Sequence, residues 1–399
     1  MKLIINASNV HVGGMLQVAI SFINELVYFP GNEYHIFLSA EVESQISGKG
    51  FPDNFSFYSF LAFSGEPGGV KKRWLSYRRL SRLKLLERVI KPDVVFTVFG
   101  PTFWKPSAPH IAGFAIPFFV YRDSPYFNVI SKVELLKRNF VNLVKEWLFT
   151  RYVDYLVVET EEVRQRLISI FKIDEKRIFQ VHNTYSNIYN HPAQWSDRIK
   201  LPERLKGELR LVTISANHRY KNLEIINRVI DELKALEPDL RVKFILTIRK
   251  EQFDGLQPSN RKSVHFTDRI NVEDCPHLYR QCDFMFLPSL LDCFSASYPE
   301  AMKMGLPILT SDLSFARNVC GEAAVYFNPL DARDIAEKIL LLYHDPVLQA
   351  RMVAYGKRKL PEFGTARERA ARYLQLAAEA ARSPLSKGLH SEIKEPVLS

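Results

Sequence analysis

The feature that most constrains this 399-residue sequence is a repeated alternation of short apolar runs with stretches of helical periodicity. Residues 3–7 form a compact apolar run, a turn with Gly13-Gly14 follows, and Leu16, Ala19, Ile20, Ile23, Leu26 and Val27 then recur at helical spacing. Strand signals come at 34–38, 94–98 and 156–158, and a helical one at 163–170. Such alternation predicts an α/β chain whose parallel sheets are covered on both faces. Residues 187–207 are polar, hold Pro192 and Pro202, and interrupt the pattern. A second series then begins, with strands at 209–215, 242–248, 284–287 and 307–311. Helices are expected at 223–236, 298–304, 331–343 and 365–382. The reading is two Rossmann-like, doubly wound domains, 1–190 and 208–364, joined by a linker at 191–207. A helix at 365–383 and a disordered polar tail at 384–399 complete the chain. Ligands of such sheets bind beyond the carboxyl ends of the strands, and two domains facing a central cleft could hold two substrates.

Charge and cysteine content narrow the function classes. The net charge of +10 suggests an anionic partner, though no nucleic-acid reader motif accompanies it, so no nucleic-acid partner is expected. The four cysteines form no C-x-x-C pair, which suits reduced thiols and a cytoplasmic location. His265, Cys275, His277 and Cys282 do not follow a usual zinc-ligand spacing, so no metal site is assigned. The amino terminus reads as a first strand, and no apolar run reaches the ~18 residues of a membrane span, so any membrane contact would be peripheral.

Two segments could carry chemistry. The first, residues 215–222, lies where a strand gives way to a helix, a place where free N–H groups and the helix dipole favour an anion. Arg219 and Lys221 add two cations there, which suits a diphosphate, and Asn222 could cap the helix. The alternative is a pair of solvated surface charges. The second, residues 288–302, runs from a strand end through a loop into a helix and places Asp292 and Glu300 eight positions apart. Carboxylates accept paired hydroxyl hydrogen bonds, as from sugar and ribose diols. Small residues at Ser295, Ala296 and Ser297 would let backbone amides approach a ligand, beside Phe294. The alternative is a loop acid and a first-turn helix acid.

The stretch from Leu209 to about Leu342 resembles the nucleotide-sugar domain of GT-B glycosyltransferases, family 4 in particular. The resemblance rests on Asp292, Glu300, Ala301-Met302, Gly305 and Pro307, then Ser311-Asp312, Gly321-Glu322-Ala323-Ala324 and Phe327-Asn328-Pro329. The first domain matches through Gly13-Gly14 and Val181-His182-Asn183. It implies a GT-B fold and sugar transfer from a nucleotide-diphosphate sugar, a UDP-sugar foremost, with retained anomeric configuration and no metal or other cofactor. It also implies roles: Glu300 on the ribose, Asp292 on the donor sugar, and Arg219 and Lys221 on the departing diphosphate. Gly13 and Gly14 would let the first domain's loop approach the donor phosphates or the acceptor, and Phe294, Ser295 and Ala296 would line the donor. As in relatives, the helix at 365–382 could cross back onto the first domain. The chain departs from the pattern in three places. Asp292 stands where Glu is usual, Cys293 and Ser295 where Gly is frequent, and the His of many relatives has no counterpart in 113–117. His110 is out of register.

Residues 71–91 hold nine basic residues and one acidic, and Leu75, Leu83, Leu86 and Ile90 can share a helical face, with Trp74 beside it. A second basic helix follows at 132–151. Both suit an anionic membrane surface, or simply a buried apolar face with a solvated basic one. The expected function is therefore a glycosyltransferase acting on a glycan or lipid-linked acceptor in surface polysaccharide assembly, cytoplasmic or peripherally attached to the inner membrane face. A GT-B-fold nucleotide-sugar epimerase and a non-catalytic sugar-nucleotide-binding relative are the alternatives.

Overall fold

The computed structural model describes residues 1–11, 13–46, 50–60 and 69–382, with backbone alone over 69–76. The tail expected at 384–399 and the side chains of Trp74 and Leu75 lie outside the described residues. The chain forms two compact units. One comprises Met1–Val120, Ile130–Asn183 and the carboxyl-terminal segment that begins at Ala366; the other comprises Tyr121–Val129 and Thr184–Thr365.

The first unit is built on seven strands: β1 (Lys2–Ala7), β2 (Glu33–Ser39), β3 (Phe55–Phe60), β4 (Val94–Thr97), β5 (His110–Gly113), β6 (Tyr155–Val158) and β7 (Ile178–Gln180). All pair in parallel, in the order β3-β2-β1-β4-β5-β6-β7. The alternation of side chains along β1 explains why the strand is apolar throughout. Leu3 and Ile5 join one core with Phe22 of helix Gly13–Glu25 and with Phe96. Ile4 joins the other with Val95, Phe37, Trp104, and Leu83 and Ile90 of helix Gly69–Ile90. Helix Ala366–Arg382 supplies Tyr373, Leu374, Leu376 and Ala377 to the first of these cores.

The second unit holds β8 (Glu208–Thr213), β9 (Arg241–Leu246), β10 (Val264–Phe266), β11 (Phe284–Leu287), β12 (Ile308–Ser311) and β13 (Ala324–Phe327). These are again parallel, in the order β10-β9-β8-β11-β12-β13. Helix Ile225–Leu236 buries Ile226, Val229, Ile230 and Leu233 against Ile335 and Ile339 of helix Ala332–His344. In both sheets the strand order reverses beside the first strand, between β1 and β4 and between β8 and β11. Loops leaving two such neighbours diverge to opposite faces and open a crevice at their carboxyl ends.

The structure alters several expectations. The unit boundary falls at Asn183, not 190, and residues 191–207 belong to the second unit rather than to a free linker. Short helical turns at Asn187–Asn190 and Pro192–Gln194 fold this stretch back, with Tyr189 buried. Five strands, β3, β5, β7, β10 and β13, had no distinct signal in the sequence; four are only three or four residues long, and four of the five lie at or next to a sheet edge. The basic segment 71–91 turns Leu83 and Ile90 into the core, with Leu80 and Leu86 packed beside them. Its described part is thus a sheet-covering helix with a solvated basic side. Among the described residues no helix is long and apolar enough to cross a membrane.

Candidate active site

The loops that follow β8 and β11 meet because these strands are neighbours at the reversal of strand order. They are joined by a backbone hydrogen bond from Leu290 N to Tyr220 O of 2.7 Å. Lys221 Nζ donates to Asp292 Oδ2 at 2.6 Å, and the two side chains are only 11% and 16% exposed. Asp292 Oδ1 also accepts from its neighbour, Cys293 N, at 3.1 Å. In a sheltered ion pair of this kind each charge compensates the other, and removing one partner leaves the other charge uncompensated.

The local backbone departs from the expected strand–helix junction. Arg219–Lys221 is a single tight helical turn, and Asn222 closes it in the left-handed region with φ 55°. The long helix begins only at Ile225, so Asn222 does not cap it. Its amide donates instead to Pro329 O at 2.8 Å. Arg219 points elsewhere than Lys221: it is exposed and donates to Val129 O at 2.8 Å. The structure therefore brings Lys221 and Asp292 together and sends Arg219 to the segment Tyr121–Val129. The same segment sends Ser124 Oγ to Leu290 O at 2.5 Å and packs Tyr126 edge-on to Tyr220. His218 stacks on Tyr220 with ring centroids 5.1 Å apart, and burial followed by the charge of Lys221 pushes its pKa down. Local sequence patterns did not reveal the role of 121–129, which lies far from the loop it supports.

Glu300 sits in the first turn of helix Ser297–Met304. Ala296 begins this helix without a side-chain cap, and Ser297 Oγ ties it to the end of β8 through Ile214 O at 3.1 Å. Gly305 closes it at φ 73°, a left-handed conformation that suits glycine and lets the chain turn into β12. Tyr279 donates its hydroxyl to Glu300 Oε2 at 3.2 Å. Burial raises the Glu300 carboxyl to about 7, although the nearby tyrosine hydroxyls, Tyr279 above all, act in the opposite direction. Neither tyrosine was assigned to the site from sequence. Phe294 is turned inward against Phe363, with centroids 6.0 Å apart, and Ser295 is buried. Phe294 is a packing side chain, so only its backbone is open to a ligand role.

In the first unit, Gly13 and Gly14 open helix Gly13–Glu25 at the carboxyl side of β1. Gly13 has φ 69°, which requires glycine or strain, while a side chain at either position would meet open space. Asn9 of this loop donates to Phe99 O at 2.6 Å, spanning β1 and β4 at the reversal point. Arg79, which the sequence presents as one of many surface cations, donates to the carbonyl and hydroxyl of Ser8. Burial lowers its pKa. His110 is 1% exposed, with Nδ1 2.6 Å from Tyr152 O and Nε2 2.8 Å from Thr97 Oγ1. Desolvation lowers its pKa, so it is a neutral, fully partnered core histidine.

Residues 196–359 match the family model of glycosyl transferases group 1. A serotype-specific mannosyltransferase WbdA of Escherichia coli is 22% identical over 226 residues, which cover 53% of this chain and 27% of that protein. The chain thus spans about a quarter of the length of the curated relatives it matches. Among solved structures, sucrose-phosphate synthase from Thermosynechococcus elongatus superposes with a TM-score of 0.69 at 13% identity, over 96% of this chain and 100% of that one. Alr3699/HepE of Anabaena, solved with UDP and glucose, gives 0.64 at 14% identity, over 95% and 100%. At such identities the likeness is one of fold, and the fold is GT-B.

Proposed function

We propose that this chain, whose residues 196–359 match the family model of glycosyl transferases group 1, is a glycosyltransferase that moves a sugar from a nucleoside-diphosphate donor to a glycan or lipid-linked acceptor. The observation that carries this reading is the Lys221–Asp292 pair at the carboxyl ends of β8 and β11, with Glu300 on the helix that follows. In the reaction the bond from the anomeric carbon to the diphosphate breaks, a bond to an acceptor oxygen forms, and the acceptor loses its proton. Negative charge develops on the departing diphosphate, and a fixed cation there stabilises the transition state. Lys221 is that cation, with Arg219 as an outer contributor.

The pairing also suggests how donor binding assembles the site. Lys221 is committed to Asp292 at 2.6 Å. An arriving diphosphate competes for the ammonium. As Lys221 turns to the phosphates, Asp292 is released to accept hydroxyl hydrogen bonds from the sugar. Glu300, once ionised, accepts from the ribose diol. The bound UDP and glucose of the Anabaena neighbour support a UDP-sugar donor, and the mannosyltransferase relative supports a place in surface polysaccharide assembly. We read the transfer as retaining and independent of a metal ion, and the glycines at 13–14 as an approach for the donor phosphates or the acceptor.

The test is a panel of nucleotides and nucleotide sugars scored by thermal shift, followed by donor turnover with and without acceptor glycans. Stabilisation by a nucleoside diphosphate that Lys221→Ala and Glu300→Ala both lose supports the donor site. Acceptor-dependent turnover marks a transferase, acceptor-independent rearrangement of the donor an epimerase, and binding without turnover a non-catalytic relative.

A further inference from the structure

Helix Lys132–Tyr152 of the first unit turns its apolar side away from the protein. Val133, Leu136, Phe140, Leu143, Val144 and Trp147 are 39–70% exposed. Their spacing of three and four places them on one stripe, about 21 Å long at 1.5 Å per residue. The opposite side faces the body of the unit: Phe149 is buried, and Leu135, Arg138, Asn142 and Lys145 are half-buried. Arg138 lies over the Phe118 ring at 3.9 Å and holds Glu134 at 3.3 Å. Globular folds bury such a stripe, and exposed apolar surface of this extent marks an interaction site.

The charges around the stripe select its occupant. Lys132, Lys137 and Arg151 lie at its ends and along its rim and are exposed. The two acids of the helix lie off the stripe, Glu134 engaged by Arg138 and Glu146 half-buried. A second copy would bring the same basic rim to this face, whereas an anionic bilayer complements it. Aliphatic and aromatic side chains enter the acyl boundary while the lysines and arginine remain at the headgroups. We propose that helix 132–152 lies in the surface of an anionic bilayer and anchors the protein there. The proposal rests on this helix alone and does not depend on the donor reading.

The experiment is flotation of the full chain with unilamellar vesicles of phosphatidylcholine alone or with about one phosphatidylglycerol in three lipids, at low and high salt. Expected is co-flotation with the anionic vesicles, weakened by salt, and lowered at least tenfold in the triple variant Leu136→Ser, Phe140→Ser, Trp147→Ser. These positions are exposed, so the fold is retained, which the melting temperature checks. A blue shift of tryptophan emission on vesicle addition should vanish in Trp147→Phe, which still floats. Absence of flotation, or equal flotation of the triple variant, overturns the proposal. So does a concentration-dependent dimer that the triple variant abolishes while the wild type ignores vesicles, which would make the stripe a self-association face. Equal flotation with phosphatidylcholine alone overturns the anionic preference.

Discussion

Lys221 Nζ and Asp292 Oδ2 lie 2.6 Å apart although 71 positions separate the two residues. Adjacent parallel strands release their loops side by side, so a cation from the loop after β8 meets an acid from the loop after β11. The contact compensates both charges, and in the proposed mechanism a bound donor offers each group a second partner.

In the proposed mechanism Lys221 is the cation that meets the departing diphosphate. Lys221→Ala should lower turnover by ~10²-fold or more, the scale of losing one preorganised electrostatic donor. Steady-state donor consumption checks this, with circular dichroism to establish that the second unit is folded. Near-normal turnover would remove Lys221 from the mechanism.

Asp292→Asn separates binding from chemistry. The variant frees Lys221 from its competing anion, so affinity for a free nucleoside diphosphate should hold or rise. Turnover of the nucleotide sugar should fall by at least about tenfold, because a neutral amide accepts sugar hydroxyls less well than a carboxylate. Calorimetric titration beside a turnover assay reads the two effects. Parallel loss of both would mean that Asp292 only holds the loop in place.

Glu300 predicts a pH dependence. Burial lifts its carboxyl to about 7, so the acid is largely neutral below that pH and ionised above it. Ribose hydroxyls donate to the ionised form, so nucleotide affinity should rise with pH toward a plateau above 7. Below 7 it should fall by up to about tenfold per unit, as one proton must be released on binding. Glu300→Gln should bind more weakly and flatten the profile. A wild-type affinity constant from pH 5.5 to 8 would sink this role.

His110 should matter for stability and not for chemistry. His110→Ala removes the hydrogen bonds to Thr97 Oγ1 and the Tyr152 carbonyl and opens a cavity, at a cost of roughly 2–4 kcal/mol. Denaturant unfolding should shift accordingly, while turnover per folded molecule stays near the wild-type value.

Tyr373 carries the packing of the carboxyl-terminal helix on the first unit. Its ring meets Phe22 at 5.0 Å and Phe96 at 4.9 Å. Tyr373→Ala should cost about 3–5 kcal/mol, the range for deleting a buried aromatic. Limited proteolysis should then cut the first unit before the second.

How much of this was legible beforehand differs between fold and site. Long central strands were readable because burial on both faces makes them apolar throughout, as in Leu3, Ile4 and Ile5. Short edge strands such as β10 and β13 were not, since three or four residues carry too little pattern. The extension of the second unit into 184–207 was hidden because polar composition there masks the few buried anchors, Tyr189 above all. The segment 121–129 was hidden for a different reason: its partners, the loops at 215–222 and 288–296, are remote in the chain.

From the sequence alone follow the repeated strand–helix units and the two-sheet α/β class, with Lys221, Asp292 and Glu300 as candidates for the site. Local periodicity and residue type are properties of neighbours in the chain, and these features depend on nothing more. Only the tertiary structure decided that Lys221 pairs with Asp292 while Arg219 turns to Val129. It also decided that Tyr189 and Tyr279 flank Glu300, and that the apolar side of helix 132–152 faces outward while Leu83 and Ile90 of helix 69–90 are buried. An amphipathic helix has the same sequence signature whether its apolar face meets a sheet or is left bare, because the neighbours that cover it come from elsewhere in the chain.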